Sequence, residues 1–455
     1  MEQAQQKASF LGEEKISKLL WRFSVPAITG MVVQALYNVV DRIFVGQGVG
    51  DDALAALSIS FPFFSILMAF AMLVGTGGSN LVSLKMGEGK YTDAKQVLAH
   101  MLVMQLIFAA VVTGLGLLFM EPLLALFGAK DAAVLEYGIQ YMTIIVSCSV
   151  FQFVGFGLNH AIRASGSPKM AMVTMLIGAI INTALDPLLI FVFDWGVRGA
   201  AAATVFSQFV SMIWVLLFMT GKKSRIQLSL RRFKLQKRLC GEMIAIGMSP
   251  FLLQLAASVV QTISNNSLYT YGEAAEVGGS GAQSAYTAIN SVIQMILMPI
   301  FGINQGAQPI IGYNYGARLY KRVRRSYFMA VAAGMAVAAI GFLIVMIFPQ
   351  ACIGVFTKNE RIMGFGVEAM RAISFFLPLV AFQIISANYF TVVGKAKISI
   401  FLSLLRQVIL LIPLVILLPM RFGVMGVAYA SPVSDAIAIL VTAALIWREM
   451  RKLKE

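Results

Sequence analysis

The chain has 455 residues, of which 59% are hydrophobic and 13% are charged. Soluble globular domains carry about 25% charged residues, so the composition excludes an ordinary soluble protein. The net charge of +15 does not indicate nucleic-acid binding, because the lysines and arginines lie mainly in short segments between apolar stretches. No P-loop, metal-ligand cluster or catalytic triad is apparent in the sequence, which argues against an ATPase or another enzyme.

Apolar stretches long enough to cross a bilayer as helices follow one another along the chain. Polar or glycine-rich turns separate them. The sequence therefore predicts an all-α integral membrane protein with twelve transmembrane spans. In chain order these spans cover residues 18–46, 53–84, 94–119, 132–160, 168–193, 197–221, 239–271, 280–312, 322–348, 361–391, 396–420 and 424–447.

The distribution of Lys and Arg predicts the orientation of these spans. With both termini in the cytoplasm, 28 of the 36 Lys and Arg residues fall on inside segments or their borders, and five fall on outside loops. Cytoplasmic loops are enriched in these residues. We therefore expect a multi-pass protein with both termini in the cytoplasm.

The second half of the chain resembles the first when shifted by about 227 residues. Pro26 aligns with Pro250, and Gly196–Gly199 aligns with Gly423–Gly426. Six spans in each half give both halves the same orientation, so we expect two six-helix lobes related by a pseudo-two-fold axis along the membrane normal. The predicted divisions are a first lobe at 1–220, a basic cytoplasmic linker at 221–242 and a second lobe at 243–455.

Few ionisable residues lie inside the spans, and such residues are costly enough to be functional candidates. At 1.5 Å per residue, Asp41 in span 1 lies about 7 Å from the outer end of its span, Asp186 in span 5 about 12 Å and Thr204 in span 6 about 10 Å. Their similar depth predicts a common polar site in the first half. The alternative is that each aspartate only makes local hydrogen bonds.

Each of these three residues has a partner four positions earlier, on the same helix face. The partners are Tyr37, Asn182 and Ala200, and the alanine would leave room for an approaching group. Pro187 removes the amide that would bond the carbonyl of Thr183, so it can both kink span 5 and free a backbone oxygen. The side-chain and backbone oxygens available here suit a hard cation such as Na⁺. They also suit H⁺, because two close carboxylates in a low-dielectric site cannot both ionise cheaply.

The second half does not repeat this set, since Asn265 stands where the first half has Asp41 and Pro413 where it has Asp186. We therefore expect the coupling site in the first half, with no cofactor other than the coupling ion. Polar residues of spans 1 and 7 are candidates for lining a substrate cavity, and those of span 7 could instead form interhelical hydrogen bonds. These candidates are Gln34, Tyr37, Gln261 and Asn265.

Two further sets of charges in the spans are predicted to form structural ion pairs. Arg406 and Asp435 each lie about ten residues into spans 11 and 12. Glu368 and Arg371 stand at i, i+3 in span 10, a spacing that brings two side chains together on a helix.

Four stretches resemble the multidrug and toxic compound extrusion (MATE) family, and the order of all twelve spans agrees with it. The resemblance is closest to the DinF-like and MepA-like bacterial branches, because span 7 has no acid between Glu242 and Glu273. The four stretches are Tyr37–Asp41, Asn182–Pro187, Gly196–Thr204 and Gln305–Gly316.

The resemblance implies a V-shaped transporter of the bacterial inner membrane that alternates between outward-open and inward-open states. It implies export of cationic drugs and dyes by a functional monomer, driven by inward flow of H⁺ or Na⁺. Pro26 matches the proline at which span 1 can bend. A lipid or lipid-linked oligosaccharide flippase of the same superfamily is the main alternative, followed by a channel or an integral-membrane enzyme. The implied cation site consists of Asp41, Asn182, Asp186, Ala200 and Thr204, with Tyr37 nearby.

Overall fold

The computed structural model describes residues 10–49, 51–127, 131–231, 233–357 and 359–453. Both chain ends lie outside these ranges, so the predicted cytoplasmic position of the termini concerns residues that are not described. All regular secondary structure within the described ranges is helical. Ten helices are long and apolar enough to cross a membrane, and two bent helix pairs bring the number of spans to twelve.

The helices occupy the predicted order, and most extend a few residues beyond the predicted ends because apolar periodicity does not mark the last turn. Spans 1 to 6 are Ile16–Gly48, Asp51–Gly87, Tyr91–Leu118, Ala132–Ser147 with Ser149–Ala164, Pro168–Pro187 with the π-helix Leu188–Val192, and Gly196–Thr220. Spans 7 to 12 are Lys237–Glu273, Gly279–Gly316, Tyr320–Ile347, Glu360–Ser374 with Leu377–Val392, Ala396–Leu404 with the π-helix Leu405–Leu411 and Ile412–Leu417, and Met425–Lys452. Short helices not predicted from the sequence are Phe10–Glu13, Met120–Leu126, Pro349–Gly354 and Pro419–Phe422.

Span 4 and span 10 are bent, by 55° and 47°, whereas the sequence predicted single continuous helices. At the bend of span 4, Thr113 Oγ1 of span 3 donates to the carbonyl oxygen of Val146 at 2.9 Å and lies 2.8 Å from Ser149 Oγ. A polar side chain that inserts into the helical hydrogen-bond ladder is a common cause of such bends. In span 10, Pro378 opens the second helix and cannot donate the amide hydrogen bond that would continue the first.

Backbones from the two halves meet closely at one end of the bundle, which we call the basic end because its connections carry most of the Lys and Arg residues. A Cβ built on Gly87 of span 2 would overlap the carbonyl oxygen of Tyr313 in span 8. Reciprocally, a Cβ on Gly316 would overlap the carbonyl oxygen of Leu84. Glycine is required at both positions because any side chain would force the helices apart.

The clusters of buried apolar residues also show where the two halves are packed together and where they are separate. One large cluster draws on both halves and includes Leu19 from span 1, and Ile310 and Tyr327 from spans 8 and 9. The clusters that contain Met142 and Ile289 each draw on a single half. The halves are therefore packed together at the basic end and form separate lobes toward the opposite end.

The short helix at the start of the described chain lies across the basic end. Arg322 Nη2 of span 9 donates to the carbonyl oxygens of Leu11 at 3.2 Å and Glu14 at 2.6 Å. The guanidinium carbon of Arg225, from the segment after span 6, lies 4.0 Å from the ring centroid of Phe10. This N-terminal segment therefore contacts both halves and bridges them.

Candidate cation site and substrate cavity

The first lobe brings together residues from spans 1, 5 and 6. Asn182 Nδ2 lies 3.3 Å from Asp186 Oδ1 and 3.3 Å from Thr204 Oγ1, so one amide connects span 5 to span 6. Asp186 and Asn182 are almost fully buried, with 0% and 1% of their surface exposed. The i, i+4 spacing of the two residues accounts for the first of these contacts.

Asp41 of span 1 joins this group from the facing helix. Its carboxyl group approaches that of Asp186 within hydrogen-bonding reach. Two carboxylates this close repel each other, and a proton or another cation between them would relieve the repulsion. Tyr37, one turn earlier, is in electrostatic contact with both carboxyl groups. The structure thus brings together the polar residues that the sequence placed at similar depth.

Tyr141 of span 4 completes the group and was not predicted from the sequence. Its hydroxyl lies within hydrogen-bonding reach of Thr204 and close enough to Asp41, Tyr37 and Asp186 to interact with them electrostatically. A tyrosine in an apolar span most often serves packing, and no spacing rule relates span 4 to spans 1, 5 and 6. Only the tertiary structure places this hydroxyl at the site.

The backbone beside the site departs from regular α-helix. Span 5 continues past Pro187 as a π-helix, Leu188–Val192, and π-helical turns occur often at functional sites. A Cβ on Gly199 of span 6 would lie 2.8 Å from the carbonyl oxygen of Leu189, so span 6 passes this irregular turn at close range. Ala200 is fully buried and packs in one apolar cluster with Ile190 of this turn, so its predicted role beside the polar group stays a prediction.

The oxygen atoms at the site suit a proton or a hard cation as a ligand. Asn182 Oδ1 and Asp186 Oδ2 are buried acceptors that receive no hydrogen bond from the described part of the chain. Buried acceptors without donors are costly, and a bound cation would satisfy them. No group of three or more His, Cys, Asp or Glu side chains lies together in the described ranges, so the carboxylate pair would need amide and hydroxyl oxygens to complete a Na⁺ shell.

Asp435, a buried acid of span 12 in the second lobe, is already neutralised. Arg406 Nε donates to Asp435 Oδ1 at 2.5 Å, so the predicted contact between spans 11 and 12 is present. The second predicted pair is wrong: Glu368 and Arg371 are both exposed, and no salt bridge joins them. Their spacing permits contact, but exposed pairs gain too little energy to hold two long side chains together.

The candidate cavity residues lie on helices that line the gap between the lobes. Gln261 is exposed and donates to Asn265 Oδ1 at 3.0 Å, and the backbone oxygen of Asn265 accepts from Gln283 at 2.9 Å. Gln34 is half-buried one turn before Tyr37 on span 1. Gln261 is thus accessible, as expected of a residue that lines a cavity, whereas Asn265 forms the interhelical hydrogen bond of the alternative interpretation.

Span 1 runs as a continuous helix through Pro26, which is buried. The residues on either side of it form the contact with span 8: a Cβ on Gly306 would lie 2.6 Å from Ser24 Oγ, and one on Gly302 would lie 2.5 Å from Ile28 Cγ1. The proline removes one hydrogen bond from the helix at this contact. A bend there would therefore change the packing between the lobes directly.

A helical membrane protein of two six-span lobes, with a pair of acids at membrane depth in one of them, has the architecture of a transporter. A model of the MatE family matches residues 26–188 and again residues 255–417, and the chain belongs to this family. The two matches repeat at the spacing found in the sequence, and each lies within one predicted lobe. The exact lobe boundaries remain a prediction, although span 7 begins at Lys237, inside the predicted linker.

Relatives of known name and structure agree with this assignment. The multidrug export protein MepA of Staphylococcus saprophyticus is 23% identical over 438 residues, covering 96% of this chain and 95% of that protein. A multidrug-resistance MATE transporter of the MOP superfamily, solved in an outward-facing conformation, is 25% identical with a TM-score of 0.91 over 98% of each chain. A MOP superfamily transporter from Pyrococcus furiosus, whose reversed pocket polarity suggests a different function, is 25% identical with a TM-score of 0.92 over 99% of each chain. The relatives are named transporters, and the chain is not an enzyme.

Proposed function

We propose that the protein is a secondary active exporter of organic cations and dyes, driven by the inward movement of H⁺ or Na⁺. The observation that carries the proposal is the approach of Asp41 to Asp186 beside Asn182 and Thr204 in the first lobe. A buried acid pair changes its net charge when a cation binds, which makes it suited to coupling. Membership of the MatE family and the MepA relatives support the export of small molecules.

The basic end is proposed to face the cytoplasm of a bacterial cell, with both termini on that side and the monomer as the working unit. The distribution of Lys and Arg supports this sidedness. The lobes are closed at the basic end, so under this orientation the structure is outward-open. The likeness to a transporter solved in an outward-facing conformation supports the same state.

Coupling follows from the contacts at the site. A cation from outside binds between the two carboxyl groups and takes up the free acceptor oxygens of Asn182 and Asp186. The bonds that join spans 1, 5 and 6 then rearrange, and span 1 bends near Pro26. The ion can drive this change only by its difference in affinity between the two states.

An organic cation and the coupling ion would compete for the same negative charge. In the outward-open state the drug occupies the cavity that Gln34, Tyr37 and Gln261 help to line, and cation binding to the acid pair removes its electrostatic attraction. Bending of span 1 then reduces the cavity and releases the drug outward. Exposed Leu36 and Met295 on spans 1 and 8 would supply adaptable apolar contacts.

A flippase for a lipid or lipid-linked oligosaccharide is the second candidate function. The observation in its favour is the Pyrococcus furiosus relative, which has the same fold and a pocket polarity that suggests another function. Flippases of anionic lipids need a basic cavity. The acidic character of the first-lobe site in this chain supports the drug exporter instead.

Dye efflux from proteoliposomes would test the proposal. Proteoliposomes made with the purified protein would contain cationic dye on the side of the basic end. Either a pH gradient or a Na⁺ gradient would then be imposed across their membrane. Asp41→Asn is the informative variant, and Glu121→Gln is the matched control because it removes an exposed carboxylate that is not part of the site.

We expect one of the two gradients to drive efflux in the wild type and in Glu121→Gln, with loss of at least 90% of the rate in Asp41→Asn. Unchanged gradient-driven efflux by the double variant Asp41→Asn, Asp186→Asn would contradict the coupling site. Absence of efflux under both gradients for several cationic dyes would favour the flippase.

A further inference from the structure

A basic groove lies on span 9, apart from the cation site and the gap between the lobes. The groove is shallow and open, since all the residues that line it come from this one helix. We propose that this groove binds the headgroup of an anionic phospholipid from the leaflet at the basic end. The residues that line it are Lys321, Arg324, Arg325, Phe328, Met329 and Ala332.

The helical spacing of these residues forms one continuous face. Lys321, Arg324 and Arg325 stand at i, i+3 and i+4, so their side chains project from the same side of the first turns of span 9. All three are exposed. Val323 and Tyr327, on the opposite face, are fully buried against the bundle. The cations therefore point toward the membrane rather than into the lobe.

These three cationic side chains lie at the end of span 9 where the helix dipole disfavours positive charge. Span 9 begins at Tyr320, and the N-terminal end of a helix dipole is positive. Neither Arg324 nor Arg325 forms a salt bridge with any carboxylate in the described ranges. By contrast, Arg322 turns inward to backbone oxygens of the N-terminal segment. An anion in the groove would offset both the mutual repulsion of the arginines and the dipole.

Apolar surface continues directly from the basic part of the groove. Phe328 is 47% exposed, and the Arg324 guanidinium carbon lies 5.8 Å from its ring centroid. At further steps along the same face, Leu343 and Ile347 are 53% and 61% exposed. A soluble anion such as phosphate would use only the cations. A phospholipid would use both parts, with its phosphate at the arginines and its acyl chain along the apolar stripe.

Native mass spectrometry of the purified protein would test this site. Phosphatidylglycerol and phosphatidylcholine would be titrated separately, and glycerol phosphate would serve as the headgroup without acyl chains. The informative variant is Arg324→Gln with Arg325→Gln. Its matched control is Lys222→Gln with Lys223→Gln, which removes the same charge from exposed positions after span 6.

We expect the Arg324, Arg325 variant to bind phosphatidylglycerol more weakly by about fivefold for each cation removed. The control should keep wild-type affinity, and replacement of both arginines by lysine should retain most of the binding. Equal loss in the control, equal binding of phosphatidylcholine, or equally tight binding of glycerol phosphate would each overturn the proposal. Unchanged thermal unfolding of the variants would show that weaker binding does not reflect misfolding.

Discussion

Gly87 and Gly316 form a reciprocal pair across the lobe interface, each admitting the backbone of the helix that carries the other. The two positions are equivalent in the duplicated halves, so the contact repeats itself about the pseudo-two-fold axis. Closure at the basic end therefore depends on the absence of side chains at two related places. The same contact must separate when the lobes change their relative orientation.

Alanine at Gly87 or Gly316 should weaken closure of the basic end. The added methyl group must displace a backbone carbonyl, and overpacking of this kind costs about 1–3 kcal/mol. The measurement is the rate at which a thiol reagent labels a cysteine placed at Ser24, which lies buried between the lobes, in a background without native cysteines. We expect labelling to accelerate severalfold.

Alanine at Gly114 and at Gly241 provides the control for this experiment. A Cβ at either position meets no neighbouring atom within 4 Å. These substitutions should leave labelling at Ser24 unchanged. Equal labelling in all four variants would mean that the glycine contact does not limit opening.

Phenylalanine at Tyr141 should weaken coupling without disturbing the fold. The substitution removes only the hydroxyl that reaches Thr204, and a single hydrogen bond contributes about 1 kcal/mol, or roughly fivefold in an equilibrium. Gradient-driven dye efflux should show a corresponding fall in apparent affinity for the coupling ion. Tyr137→Phe, one turn earlier on the same helix, is the control and should behave like the wild type.

Breaking the pair between Arg406 and Asp435 should destabilise the second lobe. Asp435 is 2% exposed, and removal of one partner from a buried pair costs about 3–5 kcal/mol because the other charge stays buried. We expect Arg406→Met alone to lower the thermal unfolding temperature in detergent. Adding Asp435→Leu should recover much of the loss, and a double variant less stable than either single variant would contradict this account.

Removal of the Arg322 side chain should release the N-terminal segment. Arg322 donates two hydrogen bonds to backbone oxygens of the N-terminal segment. Hydrogen bonds from a charged donor contribute about 1.5–3 kcal/mol. Amide hydrogen exchange in residues 10–15 of Arg322→Ala should therefore accelerate at least tenfold. Arg231→Ala, an exposed position in the segment after span 6, should leave this exchange unchanged. If both variants exchange alike, the segment is held by its other contacts instead, such as the hydrogen bond from Asn314 Nδ2 to the carbonyl oxygen of Leu11.

The sequence predicted the spans well because their signal is local. Length and hydropathy identify a membrane helix without reference to its neighbours. The bends in spans 4 and 10 escaped prediction because they depend on contacts with other elements, such as Thr113 of span 3 against Val146. The short helices that connect spans 3 to 4 and 9 to 10 are likewise too brief to show a clear apolar period.

The polar site was predicted in part for the same reason. The sequence identified Asp41, Asp186 and Thr204 because polar groups at membrane depth carry a desolvation cost that other contacts must offset. Tyr141 could not be identified in this way, because aromatic side chains are common in apolar spans. The pairing of Glu368 with Arg371 failed because helical spacing brings two side chains within range but does not hold them together at an exposed surface.

The amino-acid sequence by itself determined the membrane class, the twelve spans and the duplication, since each follows from composition and order along the chain. It also selected most of the polar residues of the first lobe. It also predicted the pair between Arg406 and Asp435, which the structure contains. The tertiary structure alone decided which residues of the first-lobe site meet and that Tyr141 joins them. It also decided that the lobes close at the basic end, because close packing between helices depends on how spans distant in sequence are oriented against one another.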